Sequence, residues 1–281
     1  MTMRIVTDST CDIPKQVMDE FAITIIPAFI NFGEESYRDE VELSRAEFYR
    51  RISNLNVIPK TASPSVGIFR QTYEQLAAQG VKEILSIHIH SGLSALAGTA
   101  RLAAQAVKNV KVTVVEVGQV AIGLGFLVYI AAQAIHQGRP LAEILKILKD
   151  ADSRTYTYAA LDTVDFLKYS GRVPSLVVDI ASLLKIKPLL LLHSGHLGMD
   201  RIRTSARSLE LMIERVKKLG TLEQLGVIHT HAAERAKQFL EQVQKTFNFS
   251  GSIWLEEATP VLGVHVGPGA VGLVAVRAKT N

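Results

Sequence analysis

Residues 83–117 read EILSIHIHSGLSALAGTARLAAQAVKNVKVTVVEV, and this stretch decides the fold. Two β-branched runs, Glu83–Ile89 and Lys111–Val117, flank a helical pattern over Ala95–Val107. Strands separated by a helix of ten or more residues pair in parallel, because only a crossover returns the chain to the same edge. The alternation continues outward: strands are predicted at Arg4–Thr7 and Thr24–Phe32, helices at Pro14–Phe21, Ser44–Ile52, Ser65–Ala78 and Ala121–Gln137. Ser44 with Glu47 makes a capping box, and Pro14 suits the first turn of its helix.

Gly138-Arg-Pro140 punctuates the chain, and a further helix runs to about Asp150. The second half reads differently. Lys187–His193 and Leu197–Arg203 are strand-like around Ser194-Gly195-His196, a hairpin signal. A helix over Ser205–Leu219, a strand over Leu225–Thr230 and a helix over Ala233–Phe247 follow. Strand-like segments close the chain at Ser252–Glu256, Val261–Val266 and Val271–Arg277. The expectation is an α/β protein of two domains. Residues 1–154 form an N-terminal parallel-sheet βαβ domain, and residues 155–281 a C-terminal α/β domain with a mixed sheet.

Composition narrows the function. The 281 residues are 48% hydrophobic and 21% charged, which excludes a disordered chain. The single cysteine, Cys11, excludes an intramolecular disulfide and a multi-cysteine metal site, and points to a reducing, cytoplasmic setting. A net charge of +4 with 6% aromatics gives no case for nucleic acid. The N-terminus reaches Asp8 before any apolar run of signal-peptide length, so no targeting segment is expected. Val117–Gly138 lacks Asp, Glu, Lys and Arg and is long enough to span a bilayer. Gln119, Gln133, His136 and Gln137 interrupt it, and Gly118, Gly123 and Gly125 weaken its start. A soluble helix buried on most sides is expected, not a stable membrane span.

Ligands of open α/β sheets sit beyond the carboxyl ends of strands, near free helix N–H groups. Four loops fit that place: Thr7-Asp8-Ser9-Thr10, Thr61-Ala-Ser63-Pro64-Ser65, His90-Ser91-Gly92-Leu93-Ser94 and His265-Val-Gly267-Pro268-Gly269. Singly their hydroxyls read as helix caps. Together, with a Gly-Pro-Gly loop behind a histidine, they suit one small anion. No P-loop or G-x-G-x-x-G follows a strand, so no nucleotide site is expected. His88-Ile-His90 and His229-Thr-His231 have strand spacing but no third ligand, so no metal is expected either. The residues alone leave two other readings open. One is a serine hydrolase using Ser94 or Ser91, His265 and Asp8, although no G-x-S-x-G elbow is present. The other is a phospho-carrier or sugar-phosphate-binding protein modified at His265 or His90.

Arg172, Lys185, Lys187, Arg201, Arg203 and Arg207 stand against only Asp179 and Asp200, a local excess equal to the whole chain's +4. This is either a solvated face or a patch that docks an acidic partner or a phosphate. Arg201 and Arg203, two apart on a predicted strand, share a face.

At these residues the sequence resembles the DegV family, over essentially its whole length. The matching stretches are Ile5-Val-Thr-Asp-Ser-Thr-Cys-Asp-Ile-Pro14, Thr61-Ala-Ser-Pro-Ser65, Ser86-Ile-His-Ile-His-Ser-Gly-Leu-Ser94, Gly171-Arg172, Ile186-Lys-Pro188 and Pro260-Val-Leu-Gly-Val-His-Val-Gly-Pro-Gly-Ala270. The resemblance implies a two-domain α/β protein that binds a long-chain fatty acid and needs no cofactor. Several such proteins are the binding subunit of bacterial fatty acid kinase and present the acyl carboxylate to an ATP-bearing partner that makes acyl-phosphate. It further implies that Thr61 and Ser94 hold the carboxylate with His265 nearby, shaped by Ser91, Ser65 and Gly267. Arg172 and Arg203, with Arg201 beside them, would dock the kinase, and His265 and Arg172 would assist phosphoryl transfer.

Four departures bear on the head group and the partner rather than the fold. Ala62 and Ser63 stand where the family has Ser-Gln, and Ala95 and Leu96 follow Ser94 in place of Gly-Thr. Glu116-Val-Gly-Gln119 replaces an Asp-Ser pattern, and Thr204, Ser205 and Ala206 thin the basic segment after Arg203. The apolar stretches Ala121–Ile135 and Leu183–Leu192 are the candidate walls of a slot for the acyl tail.

Overall fold

A computed structural model describes residues 3–52, 58–172 and 186–279. Its first sheet has the order β2-β1-β6-β7, all parallel, from β1 (Met3–Asp8), β2 (Thr24–Ile26), β6 (Glu83–Ile89) and β7 (Lys111–Val117). α3 (Val66–Ala78) and α4 (Leu96–Ala106) cover one face through Phe69, Tyr73, Ala100 and Ala103. α5 (Ala121–His136) and α6 (Leu141–Ser153) cover the other through Leu124, Leu127, Ile144 and Leu148. Burial on both faces explains why these strands read as near-continuous apolar runs.

From β8 (Thr155–Ala160) onward the chain builds a six-stranded mixed sheet of order β10-β9-β8-β13-β11-β12. Its other strands are β9 (Lys187–His193), β10 (His196–Ile202), β11 (Leu222–His229), β12 (Trp254–Glu257) and β13 (Val271–Arg277). All neighbours are antiparallel except β11 and β12, which α9 (Ala233–Thr246) joins by a crossover. The predicted hairpin is present. Its turn is two residues, Ser194 and Gly195, both at positive φ, the geometry that matches strand twist. α8 (Ser205–Lys217) and α9 pack on one face through Met212, Val216, Phe239 and Val243.

The opposite face meets α5, whose Ile122 and Phe126 pack on Ile228, Val274 and Val276. α5 therefore lies between two sheets, which is why it carries no charge and is buried on nearly every side. Gly123 and Gly125 permit the approach: a Cβ there would stand 2.6 Å from Thr157 Oγ1 and from the Asp12 carbonyl. No helix among the described residues is long and apolar enough to cross a membrane.

A third sheet, β4-β3-β5, is small and antiparallel, from β3 (Phe29–Phe32), β4 (Glu35–Arg38) and β5 (Lys60–Ala62). It corrects the single strand expected over Thr24–Phe32, which breaks at Pro27 because proline cannot donate to a ladder. The larger correction is Val261–Val266, expected as a strand. It is helix α10 (Pro260–Val266), with proline in its first turn. α2 (Arg45–Ile52) receives it: a Cβ on Gly263 would meet Phe48 Cε1 at 2.5 Å. Arg203 also lies one residue beyond β10 rather than on it, so it does not share a strand face with Arg201.

Candidate functional site

The three-stranded sheet sets Thr61, paired with Ile30 at the centre of β5. α10 sets His265, one residue before the helix ends. The chain leaves α10 at Gly267, where φ is +72°, against the Phe166 ring of α7 (Asp165–Ser170). Any side chain at Gly267 would strike that ring. α7 ends at Gly171 in the left-handed region and delivers Arg172, whose Nη1 donates to the Ser170 carbonyl at 2.6 Å. The three polar groups converge: Thr61 Oγ1 lies 3.1 Å from His265 Nε2 and 3.5 Å from Arg172 Nη2.

They stand at the mouth of a cavity of about 380 Å³, within the range of small-molecule sites. Ser63, Ser94, Ala62, Ala95 and Leu96 line the same void, as does Thr10 from the loop after β1. One wall comes from a face of the six-stranded sheet, and the remainder includes Ile89, Leu93 and Val120 of the first half and Val261, Leu262 and Val266 of α10. Leu192 and Thr157 pair across β9 and β8, as do Leu190 and Ala159, with Gly272 and Ile228 continuing the second row. Of the two stretches expected as walls, Leu190 and Leu192 contribute, and residues 183–185 lie outside the described residues. Ala121 alone of the Ala121–Ile135 stretch reaches the void, the remainder packing between the sheets.

Electrostatics at the mouth favour an anion. Burial, then the Arg172 guanidinium, pushes the His265 pKa down to about 4, so its ring is neutral at pH 7. Its Nδ1 is buried with no hydrogen-bond partner among the described residues. Arg172 is exposed and cationic, so an incoming carboxylate meets a positive charge, a hydroxyl and a neutral imidazole.

The other predicted residues lie elsewhere. Ser65 is exposed and caps α3, accepting from the Ile68 N–H. Ser91 is exposed, its N–H donating to Glu116 Oε2 at 2.8 Å, and His90 is exposed beside it. Arg201 and Arg203 are exposed and do not line the cavity, and Lys187 is paired with Asp162. No group of three or more His, Cys, Asp or Glu among the described residues could hold a metal.

The hydrolase triad is not assembled. Asp8 accepts from Thr10 and bonds His88 Nδ1 at 2.7 Å, not His265, and Ser94 Oγ accepts from the Leu96 N–H. A Ser86–His88–Asp8 chain does exist. All three side chains are wholly buried, and Ser86 is held at 2.8 Å by Tyr73 Oη, so no substrate reaches it.

Thr10 belongs to a loop that the sequence marks, and Leu190 and Leu192 to a stretch expected as wall; sequence reasoning misses Ser170 and the β8, β11 and β13 parts of the sheet face. The Thr-Tyr-Thr-Tyr alternation in β8 carries a signal for the face, whereas the four consecutive leucines of β9 carry none.

The DegV family model, described as "Uncharacterised protein, DegV family", matches residues 2–278. A DegV domain-containing protein of Halalkalibacterium halodurans is 30% identical over 274 residues, covering 96% of each chain. Among solved structures, the chain is similar to DegV of Bacillus subtilis, described as a fatty acid binding protein, at 30% identity and TM-score 0.88, covering 99% of this chain and 100% of that one. A DegV family protein of Thermus thermophilus, described by its fatty acid binding, matches at 25% identity and TM-score 0.90 with the same coverage. On the matched length, the six motifs and the shared fold, this chain belongs to the DegV family.

Proposed function

We propose that this protein binds a long-chain fatty acid, its tail in the cavity and its carboxylate among Thr61, Ser94, Arg172 and His265. The observation that carries this reading is the Thr61–His265 contact of 3.1 Å, with Arg172 beside it, at the mouth of a void walled by leucine, isoleucine, alanine and valine. Burying a sixteen-carbon tail at ~0.8 kcal/mol per CH₂ offers roughly 11 kcal/mol gross, before ordering costs. A hydrogen bond to a charged head adds only ~1.5–3 kcal/mol. The tail supplies affinity and the mouth supplies orientation. Gly267 shapes that mouth through α10, whereas Ser65 and Ser91 act at a distance, by capping and by fixing the loop before α4.

The wider reading is that of a cytoplasmic binding subunit, inert alone, that presents the acyl carboxylate to an ATP-bearing fatty acid kinase for acyl-phosphate formation. Exposed Arg172 supports it, because it borders the carboxylate and faces solvent, where it can stabilise charge that develops during transfer. Arg203 and Arg201 would contribute to docking. Mass spectrometry of protein expressed in bacteria should find one fatty acid per chain. A ligand-free protein that takes up no labelled fatty acid would overturn the reading.

A further inference from the structure

The start of α10 is held by three long-range contacts, one of them to a buried acid. The Thr259 N–H donates to Asp12 Oδ1 at 2.9 Å, the Thr259 hydroxyl to the Ser9 carbonyl at 2.7 Å, and Tyr49 Oη to the Ala258 carbonyl at 3.2 Å. Asp39 is equally buried. Neither of its oxygens, nor Asp12 Oδ2, has a hydrogen-bond partner of good geometry among the described residues. The Ser9 hydroxyl and the Val261 N–H are nonetheless close enough to favour its charge. Both carboxyls thus face the first turn of the helix whose far end carries His265. One cation serves them: Arg45 Nη2 lies 3.7 Å from Asp12, while its Nε lies 3.0 Å from Glu40.

We propose that Asp12 is a positioning residue for His265, clamping the first turn of α10 through the Thr259 N–H. The buried Asp39 carboxyl is on the same turn, and only one of the two acids is charged while the clamp is tight. Burial supports this, pushing Asp12 up to about 8 and Asp39 to about 7. A second negative charge in that space would repel the first, with Arg45 already shared by Glu40, Glu256 and Glu257. A charged Asp12 accepts the Thr259 N–H more strongly, so loosening comes from the repulsion and rehydration of the second charge, which would part the acids from α10 and carry His265 away from Thr61. The other titratable groups around the two acids and their arginine are Tyr49 on α2, Glu256 and Glu257 on β12, Glu40 after β4 and Cys11 on the first loop. Asp8, at the end of β1, lies near Cys11, and His229 at the end of β11 and His231 after it lie near Glu257. Burial raises the Tyr49 phenol and the Cys11 thiol and lowers His229.

The clamp predicts that affinity falls as pH rises, because the tightly held state keeps its proton longer than the loosened one. This arm rests on the fatty-acid reading, so a second arm avoids the ligand. Displacement of a fluorescent fatty acid is followed between about pH 7 and about pH 9, and the His265 imidazole signals of the ligand-free protein are recorded over the same range by NMR. With its own pKa near 4, His265 does not titrate there, so its signals report where the ring sits.

Wild type should lose about tenfold in affinity, one pKa unit of coupling, and its His265 signals should shift with a midpoint near 8. Asp12→Asn keeps the acceptor for Thr259 and should be flat within about twofold in both arms. Asp12→Ala should bind more weakly at every pH. An Asp12→Asn profile with the wild-type slope, or His265 signals in wild type that do not move, would overturn the proposal. If no fatty acid binds at any pH, the lipid reading fails and the NMR arm alone decides this one.

Discussion

The sheet wall and the mouth of the cavity are built in opposite ways. The wall is one face of a continuous sheet, where Thr157 and Ala159 alternate with residues buried on the α8–α9 side, as Leu190 and Leu192 do next to them. Strand periodicity alone puts these side chains together. The mouth joins Thr61 to His265 across 204 positions and adds Arg172 from a third segment. A wall made by periodicity gives area, which contributes affinity without direction. A mouth made by distant segments gives a few directed groups, which fix where the carboxylate sits.

The contrast is broken most severely at the wall. Leu192→Trp fills the void beside Thr157 and excludes three or four methylenes. This should cost about 3 kcal/mol, roughly a hundredfold in fatty acid affinity by titration calorimetry. Mouth substitutions should cost less in uptake and more in chemistry. His265→Ala or Arg172→Ala should weaken uptake by about tenfold, and the proposed kinase role predicts that acyl-phosphate formation falls by about a hundredfold or more. Equal loss of both activities would assign these residues a purely structural role.

A third effect sharpens the electrostatic side. His265 is neutral in the folded protein down to about pH 4, while in the unfolded chain it takes its proton near 6.5. As pH falls between those values only the unfolded state gains a proton, so folding stability is lost across that window and levels off below it. The loss is on the order of 1 kcal/mol after allowance for solvent at the mouth. Thermal melts of His265→Gln should lack that part of the acid dependence. The smallest effect is at Ser65, outside the cavity. Ser65→Ala should leave affinity within about twofold and lower stability by about 0.5 kcal/mol, a lost cap.

Much of the wall and its supporting sheets is legible in the sequence, because β6, β7 and β13 are rich in β-branched residues, β9 is a run of four leucines, and each ends at glycine or polar residues. β4 and β5 are not legible, and β3 is read only as the end of a longer strand: three- and four-residue strands have no periodicity to read, and their pairing is non-local. α10 misleads outright. Val261-Leu-Gly-Val-His-Val266 alternates like a strand, yet Pro260 fixes the first turn, Asp12 takes the Thr259 N–H, and Gly263 lets the helix seat against Phe48. Tertiary contacts override local propensity there. The segments carrying Thr61, Ser94, Arg172 and His265 are recognisable as motifs, but which hydroxyls converge is not, since Ser65 and Ser91 look equivalent until the chain folds.

The most direct test follows the head group itself. A fatty acid labelled with ¹³C at its carboxyl carbon is titrated into wild type and Thr61→Val, and the carboxyl resonance is recorded. The arrangement described predicts one slowly exchanging signal that saturates at one ligand per chain and changes position when the Thr61 hydroxyl is removed. A signal that stays at the shift of free or micellar fatty acid, or a bound signal indifferent to Thr61, would contradict it.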